Sequence, residues 1–453
     1  MTQIESISAT PRMRTEPLSV ILTSDIVAKA RGRAVPSSEF GDYLEKGCGW
    51  VPANMAVDVF GHIATDNPFG AVGDIRLMPD PSSKSTFPSH TRGAVSELVF
   101  SDIVTQDGDP WPNCPRTMLK DAIAELKEVA GLAVLSSFEH EFMVLVEDDD
   151  ATLPAKPFSL EQFLRHEDFG GAVIAALQDG GLEPEMWLPE YGPNQWEVTL
   201  KPAAALTAAD RALYLREFTS AVAAEYGLST TFSPIIEKDG GGNGVHVHLS
   251  LQTPEGEPVT YDPERSGGLS EVAGSFASGL LEHARVIQVL AASSPISYER
   301  LAPMRWSSGG VFLGKNNREA LLRICPLFNT PSSNPQRAFN LEYRAADATS
   351  NPYLLLAALI RAGTDGIKRG LAAPQVVEGQ VDISDAAVRA KYGIEAIPGS
   401  LSEALELFEQ SDAVSRWFSE DFISMVGTVK RSEIAGIGEL DEGERYRFYA
   451  DLY

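Results

Sequence analysis

Val245-His246-Val247-His248-Leu249-Ser250 alternates apolar and polar residues without a break. A strand turns successive side chains to opposite faces, so the apolar residues share one side and His246, His248 and Ser250 the other. Three further stretches follow the same rule. Phe138-Glu139-His140-Glu141-Phe142 sets Glu139 and Glu141 on one face, and Trp196-Glu197-Val198-Thr199-Leu200 sets Glu197 opposite Trp196 and Val198. Leu341-Glu342-Tyr343-Arg344 sets Glu342 beside Arg344. Joined in one sheet, the four polar faces line a cavity. Carboxylates gathered there repel one another severely unless cations sit among them. Carboxylate oxygens with an imidazole suit Mg²⁺ or Mn²⁺ better than zinc or copper. On one strand such alternation more often marks a half-solvated sheet, and Glu-x-Glu or His-x-His alone is weak. The chain has 7 histidines, so two on one strand face carry more weight, and four such strands beside turn-rich segments favour a site.

Working outward, residues 1–16 form a polar tail, and 17–107 are β-rich, with short apolar runs at Leu18–Leu22, Met55–Phe60 and Glu97–Ile103. Asp107-Gly108-Asp109-Pro110-Trp111-Pro112 is a dense turn cluster and marks a domain boundary. Residues 108–453 mix helix and strand. Arg116–Ala130 has helical apolar spacing and stops at Gly131. Further helices are expected at Leu160–Leu177, Ala208–Tyr226 (capped by Thr207 with Asp210), Leu269–Ala292, Tyr353–Arg369 and Leu401–Phe418. Strands are expected at Ala133–Val146, Trp196–Leu200, Gly244–Leu251 and Leu341–Arg344. The fold class is α+β in two domains.

Residues 299–344 hold Arg300, Arg305, Lys315, Arg318, Arg323, Arg337 and Arg344 against Glu299, Glu319 and Glu342, seven minus three or +4, in a chain of net charge -26. Guanidinium forks bind phosphate and carboxylate oxygens, although any single arginine is more often a surface ion pair. Gly309-Gly310-Val311-Phe312-Leu313-Gly314-Lys315 has P-loop spacing, but Asn316 stands where that motif needs Ser or Thr, and no strand–loop–helix context surrounds it. The loop Gly240-Gly241-Gly242-Asn243-Gly244, just before His246, lets backbone approach a ligand closely.

The acidic balance disfavours nucleic acid and anionic lipid as partners. The 3 cysteines, Cys48, Cys114 and Cys325, form no paired framework, which fits a reducing cytoplasm. No leader-like apolar segment opens the chain, and no apolar run approaches a membrane span.

In this order the segments resemble the glutamine synthetase superfamily, and the resemblance covers nearly the whole chain. Its carriers are Pro115-Arg116-Thr117, Glu139-His140-Glu141, Glu190 through Gly192-Pro193-Asn194-Gln195-Trp196-Glu197, Gly244-Val245-His246-Val247-His248-Leu249-Ser250, Ser297-Tyr298-Glu299-Arg300, Asn317-Arg318 through Arg323, and Glu342-Tyr343-Arg344 through Asn351-Pro352-Tyr353. Asp74 and Leu77-Met78-Pro79-Asp80 resemble the end of that family's N-terminal domain. The resemblance implies a β-grasp domain followed by a catalytic domain with a curved antiparallel sheet. It also implies a double-ring homo-oligomer, a dodecamer of two hexamers, with sites between subunits, and a reaction using ATP and at least two Mg²⁺ or Mn²⁺ ions. By matching positions, Glu141, Glu190 and Glu197 hold one metal, and Glu139, His246 and Glu342 the other. Arg318 and Arg323 bind phosphates, and His248, Ser250 and Phe232 face the nucleotide. Arg300, Arg344 and Gly242 take the acid substrate. Arg318, Arg300, Glu190 and Asp74 carry catalysis, and Asp58 and Asp74 are placed at the amine site from a neighbouring subunit.

Two positions depart from the family pattern. Trp306, in Pro303-Met304-Arg305-Trp306, stands where ammonia-using members carry a flap glutamate, and Gly241 stands where they carry an asparagine. The first change removes a charge that favours ammonium, so an organic amine, aromatic or alkyl, is the expected nucleophile and a γ-glutamylamide the expected product. The region of regulatory adenylylation, Gln380-Val381-Asp382-Ile383-Ser384-Asp385, has no tyrosine. Glutamine synthetase proper, a catalytically silent ring-forming relative and a metal-dependent hydrolase are the competing readings.

Overall fold

The computed structural model describes residues 16–88, 95–145, 156–301, 307–328 and 330–453. The N-terminal unit is a six-stranded sheet in the order Ala30–Pro36, Leu18–Ser24, Val95–Val104, Ile75–Pro79, Cys48–Trp50, with Ser85–Pro88 also paired to Val95–Val104. Leu18–Ser24 runs parallel to Val95–Val104 and antiparallel to Ala30–Pro36. The short helix Phe40–Lys46 packs on this sheet in the grasp arrangement. Ile21, Leu77, Val99 and Ile103 are fully buried beneath it.

Met55–Phe60 is not a strand. Pro52 opens a 3₁₀ turn over Pro52–Ala56, and the Asp58 carboxylate accepts the Phe60 and His62 amides at 3.0 Å. A side chain thus satisfies backbone groups that a strand would have offered to a neighbour.

The second unit is a ten-stranded sheet in the order Val376–Glu378, Gly310–Lys315, Ala320–Ile324, Leu341–Tyr343, Val245–Gln252, Ala133–Leu145, Gln195–Leu200, Pro184–Pro189. Two short strands, Ala203–Ala204 and Ser229–Thr231, pair with Ala133–Leu145. The four strands with polar faces are consecutive neighbours in this order. Pairing is antiparallel from Ala320–Ile324 to Pro184–Pro189 and parallel around Gly310–Lys315, so the sheet is mixed at one end. Phe138, Phe142, Trp196, Val198 and Tyr343 are all 2% exposed or less on its apolar side. Helices Pro115–Ala130, Ala205–Glu225, Glu271–Glu282 and Pro352–Lys368 pack there among themselves and against the sheet.

Three long expected helices are each divided. The first is Leu160–Arg165 and Glu167–Asp179, broken at His166. The second is Glu271–Glu282 and Ala284–Ala291, broken at His283, whose ring pairs with Asp365 at 2.9 Å and meets Trp417 edge-on. The third is Leu401–Glu409 and Asp412–Trp417, broken before Ser411, which caps the later piece. The helix over Ala205–Glu225 starts before Thr207, so Thr207 with Asp210 forms no N-cap. Asp210 instead accepts two hydrogen bonds from Arg116 at 3.1 Å and one from the Tyr353 hydroxyl. Arg116 is 2% exposed and also donates to Asp80 at 2.7 Å and Asp102 at 3.0 Å. This network joins the N-terminal sheet to helices of the second unit. The P-loop-like stretch forms the strand Gly310–Lys315 and runs through a turn into another strand, with no helix to present amides to a phosphate.

Candidate active site

Register decides which polar residues meet. His246 lies opposite Glu139, His248 opposite Glu342, and Glu141 opposite Glu197. Directly opposed residues on antiparallel strands bring Cβ atoms within about 5 Å, close enough for their side chains to interact. His246 Nδ1 is 3.3 Å from Glu139 Oε2 and 3.7 Å from Glu342 Oε1. His248 Nε2 is 2.9 Å from Glu139 Oε1, and its Nδ1 is 2.8 Å from Asn340 Oδ1.

The guanidiniums close one side. Arg323 donates to Glu342 Oε2 at 2.6 Å, and Arg344 donates to Glu342 Oε1. Arg344 Nε reaches the Arg318 carbonyl at 3.0 Å, which fixes the exposed turn carrying Arg318. Glu342 is 1% exposed. Burial would raise its pKa, but Arg344, His246, His248 and Arg323 together hold it down at about 2. Glu139 is likewise lowered, because His248 and His246 outweigh the effect of burial.

On the other side the carboxylates lack such cover. Burial, reinforced by Glu139, Glu141 and Glu190, pushes Glu197 up to about 9. Burial and Glu141 push Glu190 to about 7. These raised values mark a deficit of positive charge among negative groups.

Glycine and amide geometry sets the floor. The Gly244 amide donates to Glu141 Oε2 at 2.9 Å, and a β-carbon added there would lie 3.2 Å from both Arg300 Nη1 and His246 Nε2. Arg300 is 4% exposed, donates to the Ala346 carbonyl at 2.8 Å, and has a buried Nε with no hydrogen-bond partner. Its aliphatic stem lies over Gly242, where an added β-carbon would stand 2.5 Å from Arg300 Cγ. Gln195 ties this floor together: Nε2 donates to Glu141 at 3.3 Å and to Gly242 O and Asn243 Oδ1 at 2.9 Å, and Oε1 accepts from Gly192 N at 2.7 Å. Asn243 Nδ2 donates to the Ser233 carbonyl. Each end of the Asn243 amide therefore makes one hydrogen bond within the protein.

Other expected residues fall as follows. Ser250 lies further along the strand of His246 and His248 and is half-buried. Phe232 is 2% exposed and packs against Phe142 and His140, on the opposite face of that strand from Glu139 and Glu141, so it fills the core and does not reach the polar face. Asp74 is exposed before the strand Ile75–Pro79. Asp58 is 3% exposed, with its oxygens engaged by Phe60 N, His62 N and the Ser432 hydroxyl at 2.8 Å, and is not free for an amine. Trp306 and its neighbours Pro303, Met304 and Arg305 lie outside the described residues. Two members of the site had no role assigned from sequence, Gln195 and Cys325; Asn340, which stands where the resembled family often has an adenine-side arginine, meets His248 Nδ1. Gln195 precedes Glu197 by two, and Cys325 follows Arg323 by two, so the strand period carried a signal for both.

The donors suit hard divalent ions. Ligand atoms of Glu139, Glu197 and His246 lie within 4.8 Å of one another, as do those of Glu139, His248 and Glu342. Carboxylate oxygens with one imidazole in each set, and two carboxyls raised by burial and by neighbouring carboxylates, match Mg²⁺ or Mn²⁺.

The family model for the glutamine synthetase catalytic domain matches residues 112–445, and that for the glutamine synthetase N-terminal domain matches 6–111. The chain is 30% identical over 431 residues to a gamma-glutamylpolyamine synthetase of Streptomyces coelicolor, spanning 93% of this chain and 91% of that one. It is also 30% identical over 367 residues to a glutamine synthetase of Methanocaldococcus jannaschii, spanning 80% of this chain and 79% of that one. A crystal structure of a novel glutamine synthase homolog superposes with a TM-score of 0.89 at 36% identity, over 98% of this chain and 100% of the other.

Proposed function

The chain belongs to the glutamine synthetase family of carbon–nitrogen ligases, and from that membership we propose that it uses ATP to phosphorylate the side-chain carboxylate of glutamate and joins the product to an organic amine. The observation that carries the reading is one polar sheet face on which Glu139, Glu197, His246 and Glu342 converge beside Arg323 and Arg344.

Glu141, Glu190 and Glu197 would hold one divalent ion, and Glu139, His246 and Glu342 the other. Such ions polarise phosphoryl oxygens and offset charge that develops on them. Arg318, on an exposed turn, and Arg323, at the rim of the same face, would take phosphate oxygens. A glutamate carboxylate oxygen attacks the γ-phosphorus in line, the bond to the departing ADP oxygen breaks, and an acyl-phosphate forms. The amine nitrogen then attacks the acyl carbon, phosphate leaves, and the nitrogen gives up a proton. Arg300, buried with its Nη1 beside Gly244 and its Nε 4.0 Å from Asp347 Oδ2, suits the substrate's fixed carboxylate. Arg344, which also holds Glu342 and the Arg318 carbonyl in place, would take the acid substrate together with Arg300. Water must be excluded, or the intermediate hydrolyses.

The organic amine rests on Trp306 at the flap position and on likeness to a polyamine-using synthetase. Equal identity to a glutamine synthetase supports ammonia as the second reading. Asp74 would reach the amine site of a neighbouring subunit in a homo-oligomeric ring, for which a dodecamer of two hexamers is the proposed form. A cytoplasmic setting is proposed with it; among the described residues no helix is long and apolar enough to cross a membrane. The test is ADP release with Mg²⁺, ATP and glutamate, with ammonia, alkylamines, polyamines and anilines supplied in turn. Turnover with an organic amine far above that with ammonia supports the proposal. Efficient turnover with ammonia alone contradicts the amine, and no ADP release with any acid and amine contradicts the ligase.

A further inference from the structure

Cys325 ends the edge of the site formed by Arg323 and Asn340, and its thiol has no part in the proposed reaction. Its Sγ is 3.6 Å from His248 Nδ1 and 3.8 Å from Glu342 Oε2. His248 and Glu342 also share with Glu139 a set whose ligand atoms lie within 4.8 Å of one another. Zinc bonds of about 2.3 Å to sulfur and about 2.0–2.2 Å to nitrogen or oxygen, at tetrahedral angles, set sulfur about 3.5–3.7 Å from its partner ligands. Those are nearly the separations found here. We propose that Cys325, His248 and Glu342 form an inhibitory site for a borderline-soft divalent cation of the zinc class.

The surroundings support the assignment independently of the thiol. Glu139 Oε1 stands 2.9 Å from His248 Nε2, on the far side of the ring. A metal-bound imidazole characteristically donates its other N–H to a carboxylate, which fixes ring orientation. Asn340 Oδ1, 2.8 Å from Nδ1, supplies a further oxygen beside the ion. Binding exchanges the thiol proton and the Nδ1 proton for the cation. The thiolate adds one negative charge beside Glu342, whose own charge is shared with Arg323 and Arg344. Magnesium gains little from sulfur, so the site discriminates against the ion of the proposed reaction. An occupant ties up Glu342 and His248 and so blocks turnover.

The experiment is titration of the full-length protein with Co²⁺, read by absorption, followed by Zn²⁺ competition. The wild type is expected to show a thiolate-to-cobalt charge-transfer band that Zn²⁺ abolishes, and Cys325→Ser and iodoacetamide-treated wild type to show none. Cys48→Ser, altered in the N-terminal sheet, keeps the band. Mg²⁺-dependent ADP release should be inhibited by Zn²⁺, and Cys325→Ser should raise the half-inhibitory concentration about tenfold or more. Absence of the band from wild type, or its persistence in Cys325→Ser, overturns the site. The optical readout needs no turnover, so its failure is distinct from failure of the ligase reading.

Discussion

Divalent metal should enter this site by displacing protons, and the number can be worked out. Metal-free Glu197 titrates at about 9 and Glu190 at about 7, both raised by burial and by neighbouring carboxylates. At pH 7, Glu197 is then almost wholly protonated and Glu190 about half, so deprotonating both for a metal releases about 1.5 protons. The same arithmetic gives about 1.0 at pH 8 and about 0.5 at pH 9. Any proton driven off His248 adds to these values, because its imidazolium is held by Glu139, a proposed ligand. Apparent affinity for Mn²⁺ should therefore climb steeply with pH near neutrality and level off above pH 9. Isothermal calorimetry in two buffers of different ionisation enthalpy at each pH gives the released protons directly. Glu197→Gln should lower the release at pH 7 by about one. Metal binding with no proton release, and an affinity flat from pH 6 to 9, would refute the view that these carboxyls wait for a cation.

Arg116→Met should destabilise the protein by about 3–5 kcal/mol in denaturant melts, because it leaves Asp210 buried without its partner; a loss below about 1 kcal/mol would mean the domain-joining network is not cohesive. Gly244→Ala should cut turnover by about tenfold or more with little change in melting temperature, since the methyl group would intrude 3.2 Å from Arg300 Nη1 and His246 Nε2. Glu342→Gln, assayed in EDTA, should cost about 3–5 kcal/mol at pH 7. The folded pKa of Glu342 is depressed to about 2, so its contribution is full above its ordinary 4.5 and is lost as pH falls toward 2. The gap between mutant and wild type should then hold from pH 7 to about 4.5 and narrow below.

The polar faces of the sheet were legible because a strand has period two and each stretch carried its charges on alternate residues. Glu342 with Arg344 shows how far that goes: the period placed them together, and the structure joins them by a hydrogen bond. Which strands would be neighbours is a matter of long-range pairing, and no local pattern states it. The helix breaks at His166 and His283 escaped for a related reason. Apolar spacing runs through both, while the cause at His283, its contacts with Asp365 and Trp417, lies far along the chain. Thr207 with Asp210 looked like a capping pair because the spacing is right, yet Arg116 from another helix claims Asp210. Phe232 was placed at the nucleotide by family position alone, and its side chain packs in the core. The basic island proved to be two things, an inner set of Arg300, Arg323 and Arg344 at the site and an outer set that includes Lys315 paired with Glu378.

The most direct measurement is an anomalous difference map from crystals grown with Mn²⁺ and a non-hydrolysable ATP analogue. It should show two peaks on the polar sheet face, one among Glu139, His246 and Glu342 and one among Glu141, Glu190 and Glu197. Manganese bound elsewhere, with those six side chains making no contact to it, would contradict the account.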